Sequence, residues 1–151
     1  MKKMITLGVS SFVLWSCTPS APETTAVAPT ESHTAPTPDA PPELIALNEG
    51  QKWKVKDDMS PYILKGEQLV DDYVRQSKTD YKALAQDVDA QNEQLIQNCS
   101  MEGASHDALH QWVQPHLELV EKLQEEKDPA AAQATVLELQ QSYKRYHQSF
   151  Q

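Results

Sequence analysis

Residues 105–120 read SHDALHQWVQPHLELV, and this stretch decides the fold. Its apolar residues recur at intervals of three and four, which places them on one face of an α-helix. Gly103 and Ser105 mark a turn and a helix cap at its start. The pattern predicts an amphipathic helix that is stable only when its apolar face packs against other helices. The residues of that face are Leu109, Trp112, Val113, Leu117 and Val120.

Three other segments carry the same pattern. Ser60-Pro61 and Asp128-Pro129 each place an N-cap residue before a proline at the first helical position, at the start of the first and fourth helices. Thr79 is the predicted cap of the second helix. We expect the first helix to end near Gln76 and the second near Cys99. The predicted apolar faces are Ile63, Val70 and Val74 with Tyr62, Leu69 and Tyr73 in the first helix, Leu84, Val88, Leu95 and Ile96 in the second, and Val136, Leu139, Tyr143, Tyr146 and Phe150 in the fourth.

Four amphipathic helices with short connections pack most simply as an antiparallel up-down four-helix bundle. The sequence therefore predicts one all-α domain over residues 43–151. Residues 44–59 form a lead-in to the first helix. Its Leu47, Trp53 and Val55 are expected to lie across one end of the bundle.

The start of the chain resembles the signal of a bacterial lipoprotein. Lys2 and Lys3 form a basic start, residues 5–15 are an apolar run, and Leu14-Trp15-Ser16-Cys17 resembles the lipobox that precedes lipid attachment. The apolar run is too short for a transmembrane helix, which needs about 20 residues. The resemblance implies cleavage of a signal peptide, residues 1–16, and acylation of Cys17.

Residues 17–42 hold seven of the ten prolines, mixed with Thr, Ala and Ser and with almost no bulky apolar side chains. Such a segment cannot bury a core, so we expect a disordered tether between the lipid and the domain. Thr18 and Pro19 give no inner-membrane retention signal of the kind that aspartate gives in enteric bacteria. The expected location is the cell envelope, on the outer membrane, facing the periplasm or the surface.

The mature chain is expected to be strongly acidic. Removing Lys2 and Lys3 from the 13 basic residues leaves 11 against 22 acidic ones, a formal charge of −11. This charge disfavours nucleic acid and anionic lipid headgroups as partners. The expected membrane contact is therefore the lipid on Cys17, and the domain itself is expected to be a monomer.

One stretch concentrates the side chains that can carry chemistry. Residues 99–110, CSMEGASHDALH, hold two sulfur atoms and two imidazoles. His106 and His110 are four residues apart on the predicted third helix, so both rings can reach one metal ion. Cys99 and Met101 precede the predicted turn, which brings them back towards that helix. Because thiolate and thioether favour Cu(I) while imidazole suits copper and zinc alike, these four residues predict a copper site.

The same residues can also be core. With Cys17 acylated, Cys99 is the only remaining thiol, and a lone thiol in an exported protein is protected either by a metal or by burial. Buried cysteine behaves as a small hydrophobe, and Met101 can pack in the same way. His116 lies near the apolar face of the third helix, which favours a hydrogen-bonded core histidine. The accessory candidates for the metal site are His147, Met59 and His116.

Residues 99–110, together with Lys52-Trp53-Lys54-Val55, Trp112 and Pro115-His116, resemble a family of small, uncharacterised exported helical proteins of bacteria. The resemblance extends over residues 47–151. It implies a single helical bundle and singles out the stretch with the cysteine and histidines. It implies no established activity.

Enzymatic chemistry fits the sequence poorly. Residues 106–110, HDALH, differ from the zinc-peptidase motif His-Glu-x-x-His by an aspartate in place of the general base. Covalent haem needs Cys-x-x-Cys-His, which is missing, and zinc or non-covalent haem fits less well than copper.

The leading prediction is a membrane-anchored, non-enzymatic protein that binds Cu(I) for sequestration, delivery or sensing. The alternative is an envelope interaction module whose acidic faces meet a protein partner.

Overall fold

The structure is a computed structural model that describes residues 44–151. This part contains four helices: α1 (Ser60–Arg75), α2 (Tyr81–Gln97), α3 (Ala104–Glu125) and α4 (Pro129–Ser149). It forms no β-strand, and none of its helices is both long enough and apolar enough to cross a membrane. The predicted signal peptide, Cys17 and the predicted tether lie outside the described residues.

The four helices pack around a shared apolar core. Each helix packs against the next along the chain, and α1 also packs against α4. The packing is that of a helical bundle, so the predicted all-α fold is confirmed for the described residues. The largest apolar side chains that are almost completely buried are Tyr143, Phe150, Met59, Leu123 and Leu139.

Aspartate side chains cap two of the helices. At α4, Oδ1 of Asp128 accepts a hydrogen bond from the backbone N–H of Ala130 at 3.1 Å, as the sequence predicts. At α2, Oδ1 of Asp80 accepts from the backbone N–H of Ala83 at 3.0 Å, so the prediction of Thr79 was wrong by one residue. A carboxylate suits this position because it both accepts the free amide hydrogen and complements the positive end of the helix dipole.

The two serines predicted as caps lie inside their helices instead. Ser60 is the first residue of α1, after Met59 at the cap position, and its hydroxyl donates to the carbonyl of Lys56 at 3.3 Å. Gly103 occupies the cap position of α3 with a φ of +68°, which glycine adopts without strain, and Ser105 follows in the first turn. Neither α1 nor α3 therefore begins with a side-chain cap.

The predicted apolar faces are buried or partly buried, with one exception in α2. Leu95 is 3% exposed, whereas its neighbour Ile96 is 53% exposed. Successive helical residues are about 100° apart, and at this point of α2 the step from Leu95 to Ile96 leads from the core to the surface. Leu95 lies seven residues after Val88, on the same face of α2. The prediction that Ile96 belongs to the apolar face was wrong.

The lead-in pairs with the end of the chain. Trp53 donates its backbone N–H to the carbonyl of Ser149 at 2.8 Å and accepts from the N–H of Gln151 at 2.9 Å. Val55 donates in turn to the carbonyl of Gln151 at 3.0 Å. Val55 is buried and Trp53 partly buried against the core, as predicted, but Leu47 is 43% exposed. Trp53 and Val55 thus help to close one end of the bundle, and the prediction for Leu47 was wrong.

Candidate metal site

Two histidines of α3 converge near the start of that helix. The Nε2 atoms of His106 and His110 are 3.1 Å apart, and the rings meet edge to face with centroids 4.5 Å apart. In a tetrahedral site with metal–nitrogen bonds of about 2.0 Å, two such nitrogens lie about 3.3 Å apart. A small movement would therefore let both rings hold one ion. Without an ion, one ring N–H can donate to the other ring nitrogen.

Cys99 lines the same space. It lies two residues beyond the end of α2, is partly buried and is not in a disulfide. Cys99, His106 and His110 together line a cavity of about 170 Å³. Its walls are mainly apolar, and it borders the exposed residues Ile96 and His110. The other lining residues are Met59, Leu95, Ile96, Leu109 and Val113.

The two candidate thioethers occupy different places. Met59, an accessory candidate from the sequence, is fully buried and lines the cavity. Met101 is 6% exposed and belongs to the hydrophobic core, but it is not among the residues that line the cavity. The cavity therefore brings together Cys99, His106 and His110 with Met59, rather than with Met101.

The candidate ligands line one cavity, but they do not yet surround a single ion position. Among residues 44–151, no three side chains of His, Cys, Asp or Glu lie close enough together to hold a metal ion as they stand. The histidine pair is already in place because both rings project from one helix face. Cys99 lies in the connection between α2 and α3, where its side chain can turn without breaking a hydrogen bond within a helix.

The metal is inferred from the ligand types and the size of the cavity. Comparison with family models, with curated proteins and with solved structures found no match. Imidazole binds copper and zinc, and sulfur donors shift the preference towards Cu(I). A cavity of this size is below the roughly 300–1,000 Å³ of sites for small molecules and cofactors. An ion therefore suits the space better than a haem.

Lys56 joins the two segments that carry sulfur. Its ammonium group donates to the backbone carbonyl of Ser100 and, at 3.0 Å, to the hydroxyl oxygen of Ser100. Met59 is three residues further along, and its backbone N–H donates to the carbonyl of Lys56 at 3.0 Å. Lys56 thus fastens the lead-in beside Met59 to the connection beside Cys99. Sequence reasoning missed this residue, because the contact spans 44 positions and leaves no local pattern.

His116 lies in the aromatic core, away from the cavity lining. It is fully buried, stacks on Trp112 with centroids 4.8 Å apart, and its Nδ1 is 3.1 Å from the hydroxyl oxygen of Ser142. Its Nε2 is buried without a hydrogen-bond partner. Burial, with a smaller contribution from Arg145, lowers the pKa of His116 to about 3. The ring is therefore neutral at physiological pH and packs as part of the core.

His147 is also separate from the cavity lining. Its Nε2 is 2.8 Å from Oε2 of Glu67 on α1, and its ring lies edge to face against Tyr146. This contact joins α4 to α1. Of the three accessory candidates, Met59 alone lines the cavity with Cys99.

A larger surface depression lies elsewhere on the bundle. It is about 400 Å³ in volume and lined by Glu118, Glu121, Glu125 and Glu126 around Lys122. It contains no sulfur or imidazole ligand. Its carboxylates are an acidic surface of the kind that the interaction-module alternative requires.

Proposed function

We propose that this protein is a membrane-anchored, non-enzymatic lipoprotein of the cell envelope whose helical domain binds one Cu(I) ion for sequestration, delivery or sensing. One observation carries the proposal. Two imidazoles with nitrogens 3.1 Å apart share a small, largely apolar cavity with a thiol. A soft thiolate together with imidazoles suits Cu(I).

The anchoring part of the proposal rests on the start of the chain. The lipobox-like Leu14-Trp15-Ser16-Cys17 and the proline-rich residues 17–42 support cleavage before Cys17, acylation of its new terminus and an outer-membrane location at the end of a disordered tether. The intact mass of the mature protein tests this. A terminus at Met1, or a protein without lipid adducts, would contradict it.

The helices of the proposed domain alternate in direction. Along α1 and α4 the paired positions run in opposite senses, since Glu67 contacts His147 whereas Asp71 contacts Gln140. At the other face, the start of α2 meets the end of α3 through Lys82 and the carbonyl of Gln124. These contacts support antiparallel pairing of α1 with α4 and of α2 with α3, and the short connection between α1 and α2 favours the up-down arrangement. A spin label at position 68 should therefore lie much nearer to a label at position 148 than to one at position 133.

Copper binding is tested on the mature chain with Cys17→Ser, which leaves Cys99 as the only thiol. Titration of the reduced protein with Cu(I) against a competing chelator should give one ion per chain. Cys99→Ser should weaken copper binding more than zinc binding, because it removes the soft thiolate. His110→Ala should weaken binding of both metals. His33→Ala should change neither, since His33 lies in the predicted tether.

Binding should also stabilise the folded domain. A ligand that binds only the folded chain adds RT ln(1 + [L]/Kd), which is about 2.7 kcal/mol at a free concentration one hundred times the Kd. The melting temperature of the reduced protein should therefore rise with Cu(I) and return when a chelator removes it. If Cu(I) still stabilised the double variant Cys99→Ser with His110→Ala, the ion would bind at another position.

The second candidate function is an interaction module. The acidic depression around Lys122 favours it, because four of its five lining residues are glutamates that could meet a basic surface of a protein partner. In that case Cys99 and His110 are packing residues. The double change Cys99→Ser with His110→Ala would then leave copper affinity intact and lower the stability of the metal-free protein.

A further inference from the structure

Met59 is held at the cavity by its own backbone. It is the residue before α1, and its side chain has no exposed surface. Its N–H donates to the carbonyl of Lys56 at 3.0 Å, and its carbonyl accepts from the N–H of Tyr62 at 3.2 Å. Both backbone groups are therefore engaged, which fixes the backbone at the point where Met59 lines the cavity.

Met101 has no comparable place. It is only two residues from Cys99 in sequence, which makes it the nearer candidate by sequence position. Its side chain is buried in the core outside the cavity lining. Met59 is the residue that brings a second sulfur to the space lined by Cys99, His106 and His110.

The charge of the complex also distinguishes the metals. A thiolate with Cu(I) is neutral, whereas the same thiolate with Zn(II) carries one net positive charge. Leu95, Leu109 and Val113 line the cavity, and an uncompensated charge is costly in such surroundings. A thioether adds a soft donor without adding charge, so it strengthens Cu(I) binding and offers little to Zn(II).

We infer that Met59 completes the site as its fourth ligand and makes it selective for Cu(I) over Zn(II). This inference rests on the proposed function, because it assumes that Cys99, His106 and His110 bind the ion. It replaces Met101 in the ligand set with a residue from the lead-in. The site then joins three segments of the chain: the start of α1, the end of α2 and the start of α3.

The test compares Met59→Leu with Met101→Leu in the mature chain carrying Cys17→Ser. Both changes remove a buried thioether and roughly conserve side-chain volume, so each should be tolerated by the fold. Met59→Leu should weaken Cu(I) binding roughly tenfold or more and leave Zn(II) affinity nearly unchanged. Met101→Leu should change neither affinity.

Selenium labelling gives a readout that does not depend on affinity. After signal cleavage the mature chain contains only two methionines, Met59 and Met101. X-ray absorption of the copper-loaded, selenomethionine-labelled protein should show selenium bound to copper in the parent chain and in Met101→Leu, and none in Met59→Leu. If Met59→Leu does not fold, the Met101→Leu protein decides alone, because its single selenium is at position 59.

Two outcomes would overturn the inference separately from the proposed function. If copper binds and depends on Cys99 and His110, but Met101→Leu shows no copper–selenium contact, the metal site stands and Met59 is not its ligand. If the parent chain binds no Cu(I) at all, the proposed function fails and the inference fails with it.

Discussion

Gly66 of α1 lies directly against the phenol of Tyr143 on α4. A Cβ atom at position 66 would collide with the Tyr143 hydroxyl oxygen and lie 3.3 Å from Cζ of the same ring. Glycine inside a helix costs about 1 kcal/mol relative to alanine. The close approach of these two helices explains why that cost is accepted here.

Gly66→Ala should destabilise the domain because the added methyl group displaces the Tyr143 ring. Overpacking of this kind costs about 1–3 kcal/mol, partly offset by the better helix propensity of alanine. In a Tyr143→Phe background, where the hydroxyl is gone, Gly66→Ala should cost clearly less, because only the 3.3 Å approach to Cζ remains. Urea unfolding of the two single variants and the double variant measures the coupling. Additive effects would place the collision elsewhere.

His116 should make the domain sensitive to mild acid. Its pKa is lowered to about 3 in the folded state, so the unfolded chain binds the proton more readily. The stability that comes from the neutral ring is complete above about pH 6.5 and is lost as the pH falls towards the folded pKa. Between pH 7.5 and pH 5 the loss should be about 2 kcal/mol, at 1.36 kcal/mol per pH unit below 6.5.

Unfolding in urea at several pH values checks this expectation. His116→Phe removes the titrating ring and should flatten the dependence above pH 5. An unchanged slope in His116→Phe would assign the acid sensitivity to other groups.

The N-cap of α2 is Asp80, and its neighbour Thr79 serves as a control. Asp80→Ala should cost about 1 kcal/mol because it removes the acceptor for the N–H of Ala83. Thr79→Ala should change the free energy of unfolding by less than about 0.5 kcal/mol, since it is an exposed residue without a capping contact. Equal losses in the two variants would contradict the cap at Asp80.

Lys56 should affect metal binding more than stability. It is exposed, so Lys56→Leu should change the free energy of unfolding by less than about 1 kcal/mol. Losing the contacts to Ser100 should loosen the connection beside Cys99 and weaken Cu(I) binding roughly threefold to tenfold, which is about 1 kcal/mol. Lys54→Leu, at another exposed lysine of the lead-in, is the control. Equal copper affinities in the two variants would show that Lys56 does not contribute to copper binding.

Local signals were sufficient to predict the helices. Asp128-Pro129 carries its cap and its proline within two residues, and the burial of Leu84, Val88 and Leu95 follows from helical spacing alone. Errors arose where two neighbouring residues compete for one role. Thr79 and Asp80 can both cap a helix, and the choice depends on where the backbone begins to turn.

The candidate site was only partly predictable for a physical reason. His106 and His110 lie on one helix, so their spacing predicts that their rings meet. Met59 and Cys99 are 40 positions apart in the sequence and meet at the cavity through the packing of α1 against α2. No local pattern encodes that contact. Proximity in sequence favoured Met101, whereas tertiary packing favours Met59.

The pairing of the lead-in with residues 149–151 determines which end of the bundle folds last. Besides the backbone contacts at Trp53, the hydroxyl of Ser149 donates to the carbonyl of Ile45 across 104 positions. Contacts of such long range form late, because the intervening chain must first be ordered. Trp53 and Val55 can complete their backbone pairings only once Ser149 and Gln151 are in place, so this end of the core closes late in folding.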